Sequence, residues 1–592
     1  MTGDDYMFSI FLKLKWFFKE HWKSYTIAII LLIFVGFIEV LPPRILGMFI
    51  DELTIGTLTS NKTMIYILVV AGITISTYII TYFWMYKLFG GANILELKLR
   101  SKFMNHLFKM TPTFFEKNKT GDLMARATND LKAVSVTAGF GILTLVDSTI
   151  FMLTILITMV LTVSWKLTLA AILPLPIMAV IMQIYGERIH KRFMEAQDAF
   201  GDMNDSVLQS ISGVRVIRAY VLEKEEEKQF HRFTEDVYKK NLRVAKIDSL
   251  FDPTVRILVG LSYLIGLGYG AYLVFQQQLT IGQLVTFNVY LGMIVWPMFA
   301  VGELMNIMQR GNASLDRVQD TLNYKADVIS PEESKEVGIP EIIQLNDVNF
   351  QYPSSKQENL RDIYLTIRRG ETVGIVGKTG SGKTTIIKQL LREYPKGEGK
   401  LTINGKSIDS IDLHTLRGWI GYVPQDHVLF SKTVRENILF GKEGATEEEL
   451  EEAISLASFK QDIEMLPEGL ATLVGEKGVA LSGGQKQRIS IARALIRKPE
   501  ILILDDSLSA VDAKTEQKII TNIKKERQAK TTIITTHRMT AVQHADHIIV
   551  MEDGHITEHG THDELMKQNG WYKEQYITQQ TKVDAEEVEV KA

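Results

Sequence analysis

Residues 377–384 read GKTGSGKT, and that octapeptide decides the fold of everything after it. It fits G-x-x-x-x-G-K-[ST], with an apolar strand pattern before it (ETVGIV, 371–376) and a helical pattern after it (TIIKQLL, 385–391). Strand, loop and helix in that order are the context a phosphate-binding P-loop requires. Its glycines let successive backbone N–H groups curl round phosphate oxygens, and the following helix turns its positive end toward them. Lys383 is placed to reach β- and γ-phosphates, and the Thr384 hydroxyl to ligate Mg²⁺. The predicted nucleotide-binding residues are Gly377, Lys378, Thr379, Gly380, Ser381, Gly382, Lys383, Thr384 and the adjoining Thr385. A glycine-rich turn before an ordinary helix is the bland alternative, and it leaves the lysine and threonine in register unexplained.

Working outward, the averages conceal a division. The 592 residues are 46% hydrophobic and 23% charged with a net charge of -3, which would suit a soluble enzyme. Yet long apolar runs fill the half before about Arg310, and a charged, glycine-punctuated α/β pattern fills the rest. The runs centre on residues 25–40, 64–84, 139–163, 167–184, 255–275 and 281–301. Each is near the roughly 20 residues needed to cross a bilayer. Residues 164–166 and 276–280 are hairpin tips, whereas 87–132 and 188–256 are long, helical in pattern and rich in Lys and Arg. The positive-inside rule puts the long segments in the cytoplasm and the tips outside. Helices that continue well past the bilayer suggest levers, and their turn-rich midpoints, 115–122 and 212–220, are expected farthest from the membrane, where they could touch a cytoplasmic motor. There is no cysteine, which excludes disulfides, thiolate metal sites and cysteine catalysis together.

Residues 8–22 mix aromatic and aliphatic side chains with Lys13, Lys15 and Lys19, as a basic interfacial helix would. A signal peptide is the rival, and it fails because 25–40 carries no small-residue cleavage site and is long enough to be retained. Residues 1–24 are therefore expected to form a cytoplasmic elbow on the membrane surface. Glu39, Asp147 and Glu303 lie in or near spans, where ionisable residues are functional candidates by default. Blander readings stand beside them: Glu39 paired with Arg44, Asp147 in a cytoplasmic extension, Glu303 at the inner interface.

In the second half, residues 311–341 are polar, hold Pro331 and Pro340, and read as a connector. Tyr352, just ahead of the P-loop, offers a ring on which adenine can stack. Gln425 ends the short strand pattern IGYVPQ, and its side chain could reach Mg²⁺ or a water. Residues 481–488 read LSGGQKQR: Ser482, Gly483, Gly484 and Gln485 open a helix and make a second phosphate cradle at its N-terminus. One chain has one γ-phosphate at its P-loop, so a second cradle about a hundred residues on makes sense if it closes over another subunit's nucleotide.

With LSGGQ in place, the chain resembles the ATP-binding cassette transporters over nearly its whole length, in particular the half-size exporters of the multidrug and lipid group. The resemblance implies a membrane α-helical domain of six spans (25–310) with long cytoplasmic extensions. A connector (311–341) and an α/β P-loop cassette with a helical signature subdomain (342–580) would follow, then a disordered acidic tail (581–592). It implies that Tyr352 stacks on adenine, that residues 377–384 are the Walker A loop and that Gln425 is the Q-loop glutamine. Residues 472–478 (TLVGEKG) resemble the exporter motif that contacts the intracellular helices. Residues 501–505 (ILILD) resemble Walker B, with Asp505 holding Mg²⁺ through water. Residues 509–512 (SAVD) resemble the D-loop, and His537 the switch histidine on the γ-phosphate. Predicted metal ligands are thus Thr384, Gln425 and Asp505, and predicted catalytic residues Asp506, His537 and Gln425, with ATP and Mg²⁺ as the groups bound.

One position departs from the pattern. After Walker B the family usually carries glutamate as general base, and here stands Asp506. Its carboxylate is drawn back by one C–C bond, about 1.5 Å, and misplacement on the order of 1 Å can cost about a hundredfold in rate. In the family such a loss is typical of one half of a heterodimer. The expectation is therefore a subunit of a bacterial multidrug exporter in the cell membrane, cassette in the cytoplasm. It would work with a second half, a heterodimer being preferred and a homodimer open, to move hydrophobic or amphipathic compounds outward. A lipid flippase is the nearest rival and an ATP-gated pore a more distant one. Six spans exclude a soluble cassette ATPase, and no nucleic-acid partner is expected. A peptidase-fused exporter is not expected, there being no N-terminal domain with a catalytic cysteine.

Overall fold

The computed structural model describes residues 9–331, 333, 336–475 and 479–591. The chain divides into two compact units, residues 1–108 with 121–324, and residues 109–120 with 325–592.

In the first unit, six helices are long and apolar enough to cross a membrane: Trp22–Ile55, Ser60–Leu107, Thr120–Thr162, Trp165–Ser212, Glu223–Phe275 and Ile281–Asn323. Each contains one of the six apolar runs. Helix is the form in which an open segment satisfies its own backbone groups inside hydrocarbon. The second and fourth are 48 residues each, about 72 Å at 1.5 Å per residue, against a hydrocarbon core of about 30 Å.

Two of these helices are irregular. The first stops at Glu39 and resumes as Leu41–Ile55. Pro42 and Pro43 lack the N–H groups that would bond to the carbonyls of Ile38 and Glu39, so the break is written into the sequence. The third contains three π-helical turns, Arg126–Asp130, Thr137–Gly141 and Asp147–Phe151. Such turns appear frequently at functional sites.

The outer ends of the first and sixth helices are tied together. Asp51 accepts hydrogen bonds from the Gly282 N–H and the Thr280 hydroxyl, both at 2.7 Å. Its carboxylate therefore faces the positive end of the helix Ile281–Met293. The backbones cross so closely that a Cβ on Gly282 would lie 2.0 Å from the Gly47 carbonyl oxygen, a contact only small residues permit.

The described part of the N-terminal segment forms two short helices, Ser9–Lys13 and Lys15–Glu20, that bury Ile10 and Phe17. Residues 1–8 of the expected elbow lie outside the described residues. Ser9 donates to Asn312 at 2.8 Å and Lys13 pairs with Asp316, so this segment is pinned to the sixth helix. That helix, Val295–Asn323, runs into the stretch expected as connector. The reason is an apolar seam at helical spacing: Gly311, Ser314, Leu315 and Val318 are buried, and Arg317 chelates Asp130 with 2.8 Å between Nε and Oδ2.

Reporter tags or glycosylation acceptors test the orientation. Placed at Trp165 or Gln277 they are expected to report the outside, and at Lys119 or Glu225 the cytoplasm; the reverse pattern would remove the basis for calling the long extensions cytoplasmic levers.

The second unit is built on two sheets. β1 (Ile342–Phe350), β2 (Leu360–Arg368), β4 (Glu398–Ile403) and β5 (Lys406–Ser407) form an antiparallel sheet in the order β2-β1-β4-β5. β3 (Thr372–Gly377), β6 (Ile420–Val423), β7 (Ile501–Asp505), β8 (Thr531–Thr536), β9 (His547–Glu552) and β10 (His555–Gly560) form a sheet in the order β10-β9-β3-β8-β7-β6. Every pair in it except β10 with β9 is parallel. β7 and β8 are buried along their whole length, as covered parallel strands must be.

The helix Pro112–Lys117, at the midpoint of the first long loop, belongs to this unit. Glu116 accepts hydrogen bonds there from Ser354 at 3.0 Å and Tyr394 at 2.5 Å. At the far end the helix Trp571–Lys591 runs through residues expected as a disordered tail. Ala585, Glu586, Glu587 and Lys591 are strong helix formers, and they extend a helix already begun.

Candidate nucleotide site

The topology gathers the predicted residues before any side chain is considered. The P-loop follows β3, His537 follows β8, Asp505 ends β7 with Asp506 directly after it, and Gln425 lies two residues past β6. These four strands are neighbours and run parallel, so all four sets reach the same carboxyl edge, where ligands bind in open α/β sheets.

The loop's shape depends on its glycines. Gly382 has φ 105°, and a Cβ there would meet the Asn359 carbonyl at 2.8 Å. The helix Lys383–Leu390 starts directly after it. Lys383 is buried, and its Nζ donates to the carbonyls of Gly377 at 2.9 Å and Lys378 at 2.8 Å. Burial pushes this amine down, while Asp506 and Asp505 partly hold its charge. Ser381 Oγ is buried with no protein partner among the described residues. A buried ammonium satisfied only by its own loop, beside an orphaned hydroxyl, fits a site shaped for phosphate oxygens.

Asp505 is almost fully buried and gathers hydroxyls. Oδ1 accepts from Thr384 at 3.0 Å and Thr535 at 2.5 Å, and Oδ2 accepts from Tyr422 at 3.3 Å. Thr384 and Asp505, an all-oxygen set next to the loop, could hold a hard divalent ion such as magnesium. The Gln425 side chain is exposed at the same edge.

Asp506 has φ 45°, a left-handed conformation that aspartate tolerates better than most residues. Its N–H donates to the Thr535 carbonyl at 2.9 Å and hydroxyl at 3.1 Å. Burial pushes its carboxyl up, and His537 and Lys383 pull it back down. Burial, and then the Lys383 charge, hold the His537 imidazole below its ordinary value, which keeps it neutral near pH 7.

Tyr352 lies beside the P-loop helix. Its hydroxyl donates to Thr385 Oγ1 at 3.1 Å, and its ring packs edge-on against Tyr394 with centroids 4.9 Å apart. Tyr394 in turn donates to Glu116, so the predicted adenine platform is two side chains from the loop helix Pro112–Lys117.

The stretch expected as a second cradle opens a helix whose first residues are exposed. Ser482 caps the helix Gly483–Leu495 in a reciprocal box: its Oγ accepts from the Gln485 N–H at 3.2 Å, and Gln485 Oε1 accepts from the Ser482 N–H at 3.0 Å. Ser482 and Gly483 are exposed. Among the described residues no hydrogen bond links residues 482–485 to the P-loop. Gly484 allows a close approach instead, since a Cβ would lie 3.0 Å from the Ala510 carbonyl in the predicted D-loop. Of the exporter motif at 472–478, residues 476–478 lie outside the described residues.

Three supporting residues escaped the motif search. Thr535 holds both Asp505 and Asp506; threonines inside a strand buried along its whole length, TTIITT, were the available signal. Arg538 ties the segment after His537 to the predicted D-loop through the Ser509 and Val511 carbonyls at 2.7 and 3.0 Å and pairs with Glu516 at 2.7 Å. Gln579 clamps the same segment, donating to the His537 carbonyl at 2.8 Å and accepting from the Met539 N–H at 3.0 Å. Nothing local in the sequence announces Gln579, which lies 42 residues from His537.

Comparison with known proteins identifies the family. Residues 25–298 match the family model of the ABC transporter transmembrane region, and residues 360–509 the family model described as ABC transporter. The chain is 62% identical over 574 residues to a Bacillus subtilis (strain 168) protein named "Probable multidrug resistance ABC transporter ATP-binding/permease protein YheI", covering 97% of this chain and 98% of that one. It is 33% identical over 475 residues to an ATP-dependent lipid A-core flippase of Syntrophus aciditrophicus (strain SB), covering 80% and 78%. A solved structure of a bacterial Atm1-family ABC exporter with ATP bound superposes with a TM-score of 0.78 at 25% identity, over 94% of this chain and 98% of that one. This chain belongs to the ABC transporters, as an ATPase-driven, multi-pass exporter of a bacterial membrane with its cassette in the cytoplasm.

Proposed function

We propose that the chain is one half of a heterodimeric exporter of hydrophobic or amphipathic drugs, and that its own Walker side forms the slower of two ATP sites. The observation that carries the asymmetry is Asp506 in the general-base position beside a complete signature of Ser482, Gly483, Gly484 and Gln485. The drug cargo is favoured by the 62% identity to a protein named for multidrug resistance.

On this reading the triphosphate lies along residues 377–384, and Lys383 exchanges the Gly377 and Lys378 carbonyls for phosphate oxygens. Magnesium, held by Thr384, Asp505 and Gln425, would supply charge neutralisation at the β- and γ-phosphates. Tyr352 stacks on the base. Asp506 accepts the proton of the attacking water, and neutral His537 donates a hydrogen bond to the γ-phosphate. The partner's signature closes over this ATP while Ser482, Gly483 and Gly484 close over the partner's. ATP binding clamps the two cassettes together, and the long helices carry that motion to the spans as a rigid-body change.

The flippase relative keeps a lipid cargo as the second reading. ATPase stimulation of the complex, isolated with its native partner, separates the two. Cationic drugs are expected to raise turnover several-fold over the basal rate and added lipids to change it little; stimulation by lipids alone would assign the lipid cargo.

A further inference from the structure

The helix Trp571–Lys591 grips the segment after β8 along one of its faces. Tyr572, Tyr576 and Gln579 stand at i, i+4 and i+7, so they share that face. Tyr572 is fully buried, and its hydroxyl meets His562 Nδ1 at 2.8 Å. At the helix start, Glu558 on β10 accepts from the Trp571 N–H at 2.5 Å and the Tyr572 N–H at 3.3 Å. One turn on, the Tyr576 hydroxyl donates to Gln543 Oε1 at 3.3 Å. The helix is therefore fixed to the cassette before it reaches Gln579, where an amide stands in the position at which an apolar side chain would continue the stripe.

That amide uses both of its ends on backbone. Nε2 donates to the His537 carbonyl at 2.8 Å, and Oε1 accepts from the Met539 N–H at 3.0 Å. Thr536 Oγ1 accepts from the N–H of the residue between them, Arg538, at 3.0 Å. Just past the end of β8, then, the backbone is held by side chains, and the larger share falls to one glutamine from a different element. A two-point clamp of this kind fixes the peptide planes around Arg538, and with them the direction in which the His537 side chain leaves the chain. The His537 imidazole lies at the P-loop edge, where it feels the charges of Lys383 and Asp506. A displacement on the order of 1 Å in such a group costs about a hundredfold where chemistry depends on it.

We infer that Gln579 is a positioning residue for His537: the helix Trp571–Lys591 holds the segment after β8 so that the imidazole meets a terminal phosphate, and the site thereby distinguishes ATP from ADP. This role rests on the proposed contact of His537 with the γ-phosphate. Gln579 acts through the backbone it grips. A glutamine that served only to fill space would be replaceable by an apolar side chain of the same length.

The test measures nucleotide binding to this chain within the full complex in nanodiscs, by photolabelling on ice with azido-ATP and azido-ADP. Gln579→Met keeps the length and helix propensity of the side chain and removes both hydrogen bonds. It is expected to raise the half-saturating concentration of azido-ATP about fivefold and that of azido-ADP less than about twofold. His537→Ala is expected to raise the azido-ATP value about tenfold. Adding Gln579→Met to His537→Ala is expected to change nothing further, because a positioning residue has no effect once the group it positions is gone. An unchanged azido-ATP value in Gln579→Met would overturn the inference, as would equal losses for both nucleotides or a full further loss in the double variant. Preference for ATP lost in His537→Ala but kept in Gln579→Met removes the Gln579 role and leaves the γ-phosphate contact standing. Preference kept in His537→Ala removes the contact and the Gln579 role together.

Discussion

Ser482→Arg is expected to abolish most of the ATPase activity of the assembled transporter, at least about tenfold, whereas Asp506→Asn leaves most of it standing. The first substitution strikes the cradle lent to the partner's ATP. It removes the capping oxygen that accepts the Gln485 N–H, a loss of about 1 kcal/mol for the helix, and it sets a long cation where phosphate oxygens must approach an exposed helix N-terminus. The second strikes a base already displaced by about 1.5 Å. A site slowed about a hundredfold contributes on the order of 1% of turnover, so its loss is small. In a symmetric pair with an adequate aspartate base the two variants would fail together. Steady-state phosphate release from the complex, each variant beside wild type, reads the difference.

Lys383→Ala has the next largest expected effect. The amine is buried, and the two carbonyls it now satisfies belong to the loop itself, so its charge is held in place for a ligand. Charge-assisted hydrogen bonds contribute about 1.5–3 kcal/mol each, and ATP binding at this chain's own Walker site is expected to weaken about a hundredfold. Tyr352→Ala removes one stacking surface and is expected to cost about tenfold, in keeping with about 1–3 kcal/mol per stacked base. Photolabelling with an azido-ATP, quantified on this chain alone, measures both. Undiminished labelling in both variants would overturn the P-loop assignment.

The sequence displayed most clearly what depends on local pattern. Six apolar runs of spanning length became six helices, and the glycine spacing at 377–384 marked the loop that the structure closes around Lys383. Ser482 and the two glycines after it marked the start of a helix, and the structure begins one at Gly483. Pairings made by tertiary packing were illegible. Glu39 and Asp147 are far apart in the chain, and only helix packing brings both to one cavity and leaves Glu303 outside it. Thr535, Arg538 and Gln579 support the site through contacts made across the fold, and no spacing rule marks them. The end of the sixth helix was misplaced because polar residues on its outer face hid the buried seam at Gly311, Ser314, Leu315 and Val318.

The asymmetry is tested most directly by steady-state ATP hydrolysis of the purified chain alone, in nanodiscs, beside the same chain assembled with its native partner. An asymmetric pair predicts slow turnover by the chain alone, about a hundredfold below the complex, and little further loss on Asp506→Asn in the complex. Turnover by the chain alone as fast as the complex, stopped by Asp506→Asn, would contradict the heterodimer and make Asp506 an ordinary catalytic base.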